Sequence, residues 1–372
     1  MNWKALIFSI LVTTLLISPA WSLDQVSPKT GKVVLTQTDH YLVTPVGPLP
    51  IVRSFRSDTE AGIMGLGWTL DIVSRLNRLS DRLLVITQAG KATLLAKKDN
   101  NKEFVGPYGV AARFKKDQWI VESPTNITSI FDKQGREVSW HDANGNIVSF
   151  AYDRKGRLSE IQAVKGYLLR FIYGDNGLLA AIRDAGGRQS VYRYDTAGRM
   201  VEAQDANGWR TTYCYKKNGM PAEINYPSGI RVSFKYDESK RVIKRISSSG
   251  PTYTYSYGKV NRITRQDGFW WETEYDKKGR PLRYHDCLNR EQGWYWNDQG
   301  QLIRRRFLDG THTDYTYDSQ GRMVRQETGH GDTLKIFYDG SSPRPAMIDH
   351  NGAVTRFRYD KKGNPLAVTS PA

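Results

Sequence analysis

The chain has 372 residues, enough for one large or two ordinary domains, and its 39% hydrophobic and 12% aromatic content supports a packed core and excludes a disordered chain. Its net charge of +16 divides into +5 over residues 1–130 (15 basic, 10 acidic) and +11 over residues 131–372 (39 basic, 28 acidic). No basic run exceeds Arg304-Arg305-Arg306, so the excess is diffuse, which suits acidic partners and lacks the focused stripe of a nucleic-acid reader.

Residues 1–22 read as a signal peptide. Lys4 supplies the positive start, Ala5 to Ser18 is an apolar stretch, Pro19 breaks it, and Ala20-Trp21-Ser22 offers small residues around a cut before Leu23. The apolar stretch is short for a membrane span, which needs about 20 residues. The expectation is an exported protein, periplasmic or at the cell surface, with no membrane span after cleavage. Residues 23–130 read as a β-rich N-terminal module.

From residue 131 the chain repeats. An aromatic marker stands at Phe131, Tyr152, Tyr173, Tyr194, Tyr215, Tyr236 and Tyr257, each 21 residues after the last. One step shortens to 18, reaching Tyr275, and the 21-residue beat resumes at Trp296, Tyr317, Tyr338 and Tyr359. A fixed period over twelve units marks a repeat architecture in which each unit stacks on its neighbours.

Within a unit the residue after the marker is usually Asp, as at Asp153, Asp195 and Asp318, and the fourth is usually Gly, as at Gly156, Gly198 and Gly321. Arg often follows. Aspartate caps its own turn and glycine supplies the positive φ of a tight reversal, so each marker precedes a hairpin. A second turn signal about ten residues later, such as Asp205-Ala206-Asn207-Gly208, makes each unit two short strands. Two residues before the marker stand further aromatics, including Phe150, Phe171, Tyr192, Tyr213, Phe234, Tyr255, Trp294, Tyr315 and Phe357. Period-two parity puts these rings on the marker face and leaves a polar, basic face opposite. Twenty or so exposed rings would be an aggregation liability, so the antiparallel strip is expected to curl with its rings inward.

Tyr152-Asp153-Arg154-Lys155-Gly156-Arg157-Leu158 and Tyr194-Asp195-Thr196-Ala197-Gly198-Arg199-Met200 resemble the RHS or YD-repeat consensus over residues 131–372. Gly47-Pro48-Leu49-Pro50, Arg53-Ser54-Phe55 and Gly65-Leu66-Gly67-Trp68 are similar to the module that precedes such repeats. The resemblance implies an all-β protein built from tandem 21-residue YD-repeat hairpins in a long, spiralling antiparallel sheet. It also implies a shell able to enclose a polypeptide, as in polymorphic toxins and toxin-complex components. The chain reads as a short member, without the self-cleaving segment or a C-terminal toxin domain.

The six histidines form no metal pattern, and no nucleophile elbow or phosphate loop appears. The repeated aspartates are explained by the repeated turns. No enzyme activity, catalytic residue, metal or cofactor is therefore expected. Cys214 and Cys287 lie about three units apart, too far for a disulfide given strands spaced roughly 4.8 Å apart. The one local anomaly is the 18-residue step, with Phe269-Trp270-Trp271 and then Trp294-Tyr295-Trp296. Parity puts Trp271, Trp294 and Trp296 inward, and Trp270 and Tyr295 on the polar face beside Arg262, Arg265 and Arg304. Those five residues are the candidate ligand-binding patch, since exposed rings beside guanidinium groups stack on sugars or partner side chains.

Three functions remain open at this point. One is an exported, non-enzymatic scaffold holding or shielding a polypeptide cargo. Another is a cell-surface protein binding an acidic glycan, and the third is an inert remnant of a polymorphic toxin. Nucleic acid is not an expected partner.

Overall fold

In a computed structural model the protein is described over residues 26–370, apart from 45–46, 58–60, 89–90, 98–102, 107–109, 124–126, 143–144, 164–166, 341, 343 and 361–364. The signal-peptide reading lies outside the described residues. Among those that are described there are strands, turns and bends and no helix. Three strands, β1 (Val34–Thr44), β2 (Gly47–Arg56) and β3 (Trp68–Leu70), form a separate antiparallel sheet. The remaining thirty, from Arg75–Ser80 to Pro365–Thr369, form one antiparallel ribbon in which successive strands pair in chain order. The ribbon is open: its last strand makes no ladder with its first among the described residues. It curls as the alternating pattern requires. Near its start, Leu76 N–H donates to the Gly135 carbonyl at 2.9 Å, bridging the first strand to the first repeat turn.

The turn chemistry is visible in any unit. Asp195 accepts Ala197 N–H (3.0 Å), Arg199 N–H (2.9 Å) and Arg199 Nε (2.7 Å), and Gly198 takes φ +74°. The register shifts by one residue at Tyr194, a β-bulge that recurs at most markers. That bulge aims the phenol at the preceding unit. Tyr194 donates to the Leu179 carbonyl at 2.8 Å, and Tyr152, Tyr173, Tyr215, Tyr236, Tyr257, Tyr317 and Tyr338 each reach a carbonyl fifteen residues back. The marker is therefore a rivet between units as well as a packing ring.

Parity holds along the ribbon. Phe150, Phe171, Tyr192, Tyr213, Phe234 and Tyr255 are buried, while Ala151, Ile172, Arg193, Cys214 and Lys235 on the opposite face are exposed. The outer face is laced by cross-strand ion pairs such as Arg262–Glu272 and Arg304–Asp314. The inner rings are not hidden by curling alone. The β1–β3 sheet fills the concavity, and Val33, Leu35, Leu42, Ile51, Phe55 and Trp68 share one core with inner-face residues from Val148 to Ile263.

Asp195→Ala removes two backbone caps and an ion pair, and should lower the unfolding free energy by about 1–2 kcal/mol. Hydrogen exchange should show the loss concentrated in the Tyr194 hairpin. The backbone N–H of Arg157 and of Arg280 hold Asp153 and Asp276 below the usual carboxylate range. A depressed carboxyl stabilises the fold above about pH 4 and loses that contribution as pH falls through its folded value. Urea midpoints should therefore decline on acidification below pH 4.

Candidate functional site

The inner face divides into two parts at Ile263. On the covered part, the β1–β3 sheet is anchored by a buried polar cluster. Arg53 is fully buried and pairs with Asp39. It also donates to Gln37 Oε1 (2.5 Å) and the Tyr213 hydroxyl (2.8 Å), and lies over the Trp68 and Tyr213 rings. Asp39 accepts a second bond from the Tyr192 hydroxyl at 2.8 Å. Its backbone carbonyl accepts from the Ser190 hydroxyl (2.8 Å) and Ala206 N–H (2.9 Å). His40, also buried, meets Ser190 through Nδ1 (3.2 Å) and Asp184 through Nε2 (3.4 Å). Burial lowers the His40 pKa below the usual histidine value, against the pull of Asp184. Burial raises Asp39 while Arg53 and Tyr192 pull it down.

Backbone contacts complete the seal. Leu179 N–H donates to Ile63 O (2.7 Å), Leu66 N–H to Gly198 O (3.3 Å) and Val242 N–H to Gly31 O (2.8 Å). Gly65 holds φ +83°, and a Cβ there would lie 2.2 Å from the Gly198 carbonyl oxygen, so no larger residue fits. Arg53-Ser54-Phe55 and Gly65-Leu66-Gly67-Trp68, singled out in the sequence, are the segments that dock.

Beyond Ile263 nothing described covers the same face. Tyr284, Trp294, Ile336 and Phe357 are buried, but Leu302, Tyr315, Met323 and Leu334 are only half-buried. Arg305 lies on this face over Trp294 (5.9 Å) and Phe307 (4.7 Å). The Gln292 amide oxygen, in the orientation that satisfies both groups, accepts from Arg305 Nε and Nη2 at 2.8 and 2.7 Å. Burial lowers the Arg305 pKa, and among the described residues no carboxylate pairs with it. This half is a concave, ring-lined surface carrying an uncompensated cation.

Of the patch expected from the sequence, Trp270, Tyr295, Arg262 and Arg304 lie on the outer face, whereas Arg265 has the inner-face parity of Ile263, stands across from buried Tyr253 and lies over Phe269. Tyr295 is 49% exposed, and Trp270 is half-buried between Arg262 (4.3 Å over its ring) and His285 (5.4 Å). Each of its three arginines has an acidic partner: Arg262 with Glu272, Arg265 with Asp267, and Arg304 with Asp314. The rings and guanidinium groups are present, but their charge is neutralised. Cys214 is exposed and Cys287 half-buried, both as free thiols.

A spiralling ribbon of tyrosine-riveted hairpins around an N-terminal plug defines a YD-repeat β-shell protein. The Teneurin YD-shell family model matches residues 111–285 and 241–372, most of the chain, and the protein belongs to that family. A domain of unknown function (DUF6531) matches residues 23–95. The crystal structure of TcdB2-TccC3 without its hypervariable C-terminal region is similar over 99% of this chain and 24% of that one, at 13% identity and a TM-score of 0.50. The Photorhabdus luminescens Tc holotoxin pore matches 92% of this chain and 22% of that one, at 13% identity and a TM-score of 0.49. The double-stranded DNA deaminase toxin A of Burkholderia cenocepacia is 29% identical over 111 residues, 30% of this chain and 8% of that protein. The chain thus spans a quarter or less of each of these relatives.

Arg53→Met leaves the Asp39 carboxylate buried without its cation and should destabilise docking of the N-terminal sheet by about 3–5 kcal/mol. Limited proteolysis should then release β1–β3 before the repeats, and adding Asp39→Leu should recover part of the loss. His40 titrates oppositely to the usual ion-paired histidine. Its folded pKa is depressed, so the neutral ring's contribution is intact above about pH 6.5 and falls as pH drops toward the folded value. The melting temperature should decline from pH 7 to pH 5, and His40→Gln should flatten that slope.

Proposed function

We propose that this chain is an exported, non-enzymatic YD-repeat scaffold whose open inner face, on the strands after Ile263, holds or shields a polypeptide partner as part of a β-shell. The observation that supports this is the change in cover along one continuous surface. Up to Ile263 the inner rings are packed under the chain's own β1–β3 sheet, a polypeptide seated by an arginine, an aspartate and tyrosine hydroxyls. After Ile263 Trp294, Ile336 and Phe357 are still buried, but Leu302, Tyr315, Met323 and Leu334 on the same face are half-exposed, and Arg305 stands in place of a neutralised cluster. A second polypeptide segment carrying apolar side chains and a carboxylate fits that surface by the same physics as the first. The relatives bear names of toxins and toxin complexes, which suits an origin in a toxin locus. No deaminase chemistry is carried to this chain, because the likeness to the deaminase toxin spans so little of it.

The test is site-resolved cross-linking in the native host. A photoreactive phenylalanine analogue at Tyr315 or Met323, on the inner face, should trap a defined polypeptide, whereas the same analogue at Tyr295, on the outer face, should not. Arg305→Glu should weaken trapping at least tenfold. Trapping from Tyr295 alone, or saturable glycan binding lost in Trp270→Ala, would transfer the function to the outer face.

A further inference from the structure

The 18-residue step leaves a cleft that the regular units fill. In six units a turn guanidinium covers the next marker ring: Arg136 over Tyr152 (5.0 Å), Arg157 over Tyr173 (4.0 Å), Arg199 over Tyr215 (5.4 Å), Arg241 over Tyr257 (4.6 Å), Arg280 over Trp296 (5.2 Å) and Arg322 over Tyr338 (4.4 Å). The short step breaks this scheme before Tyr275. Gly258 replaces the turn aspartate, and Asn261 replaces the glycine, donating to the Pro28 and Lys29 carbonyls at 3.1 and 3.0 Å. Arg262, at the guanidinium position, turns to the outer face, where it lies over Trp270 and pairs with Glu272. Burial raises the Tyr275 pKa, with Thr273 pulling it back down.

What remains is a cleft of about 390 Å³ walled by Tyr257 and Tyr275 and rimmed by Lys29, Lys259, Lys277 and Lys278. Lys29 comes from the N-terminal segment and lies against the Gly279 turn, where a Cβ would sit 1.8 Å from its Nζ. The nearby carboxylates are already engaged: Asp276 holds Arg280 and Asp237 holds Arg241. Among the described residues no carboxylate lies within ion-pair distance of the four lysines. Four lysines and Arg241 line this concave polar surface against one carboxylate, Asp276, which is committed to Arg280, and the excess focuses positive potential there.

We propose that this cleft binds a phosphorylated sugar, with the phosphate among the four lysines and the sugar ring on the uncovered face of Tyr275. Lysine suits phosphate as a point charge with several rotatable donors. The volume is that of a single small-ligand site, and a hydroxyl-rich ring matches walls made of lysine, asparagine and tyrosine better than an apolar body would. The site is independent of the inner-face reading, because it lies at the junction of the N-terminal segment and the repeat turns.

Isothermal titration with glucose 1-phosphate, glucose, inorganic phosphate and a phosphomannan tests it. Glucose 1-phosphate should bind saturably, at least tenfold more tightly than glucose or inorganic phosphate. Lys277→Glu/Lys278→Glu, two exposed positions, should weaken it at least tenfold with an unchanged melting temperature. The same charge change on the outer strands, Lys235→Glu/Lys244→Glu, should leave it within twofold. A phosphomannan that binds more tightly than the free sugar phosphate assigns the ligand to a surface glycan, and the reverse order assigns it to a free metabolite. Absence of binding at millimolar glucose 1-phosphate, equal binding of glucose or of inorganic phosphate, or equal loss in both double variants would overturn the proposal.

Discussion

A one-sided β-ribbon must cover its apolar face, and most of this molecule follows from how it does so. Alternation places rings and branched aliphatics at most inner-face positions, and burying each is worth roughly 2–3 kcal/mol. Twist alone bends such a ribbon but leaves the concavity empty. Here the first half of the concavity is filled by β1–β3, whose own apolar residues complete a single core with the repeats. The N-terminal sheet and the repeats are therefore one cooperative unit as far as Ile263. Past that residue the quasi-one-dimensional behaviour expected of repeats, with stability coming from neighbour contacts alone, applies more closely.

A buried ion pair is an expensive way to seat the inner sheet, since desolvating two charges can cancel their attraction. The cluster around Arg53 offsets that cost by adding Gln37, Tyr192 and Tyr213 as neutral partners and two rings beneath the guanidinium. Its main consequence is specificity of register. An apolar sheet could slide along a ladder of equivalent rings, whereas a guanidinium that must meet the hydroxyl of Tyr213 while its aspartate meets that of Tyr192 fits one unit of the ribbon. The Leu66 and Ile63 backbone bonds then fall on the neighbouring turns.

The parts of this architecture that were legible in the sequence are the local ones. Asp195, Gly198 and Arg199 act within five residues of each other, so a 21-residue beat exposes hairpin, turn type and parity at once. The rivets were half legible: the tyrosine was evident, but its reach to a carbonyl fifteen residues back depends on a bulge that no residue type announces. Docking of β1–β3 left no periodic trace. Asp39, His40 and Arg53 look like ordinary polar residues in a strand, and their partners lie 144 to 160 positions away. Parity placed Trp270, Tyr295, Arg262 and Arg304 on the outer face, but Arg265, three residues past Arg262, falls on the opposite parity. Parity is blind, however, to cross-strand carboxylates such as Glu272 and Asp314, which neutralise Arg262 and Arg304.

The same distinction explains where the molecule's positive charge resides. Among the described residues the ion pairs to carboxylates are made by arginine, together with two histidine contacts, and none is made by lysine. A planar fork meets a carboxylate at two points and is held by the turn that carries it, whereas an ammonium on a flexible stem gains little from a surface pair. The repeat thus spends its acidic residues on arginines that shape turns and strands, and the surplus that makes the net charge +16 is left largely on lysines. Lysines scattered along a ribbon yield a diffuse field that salt screens within about 8–10 Å. The break in the period, the 18-residue step, places four of them around one cleft.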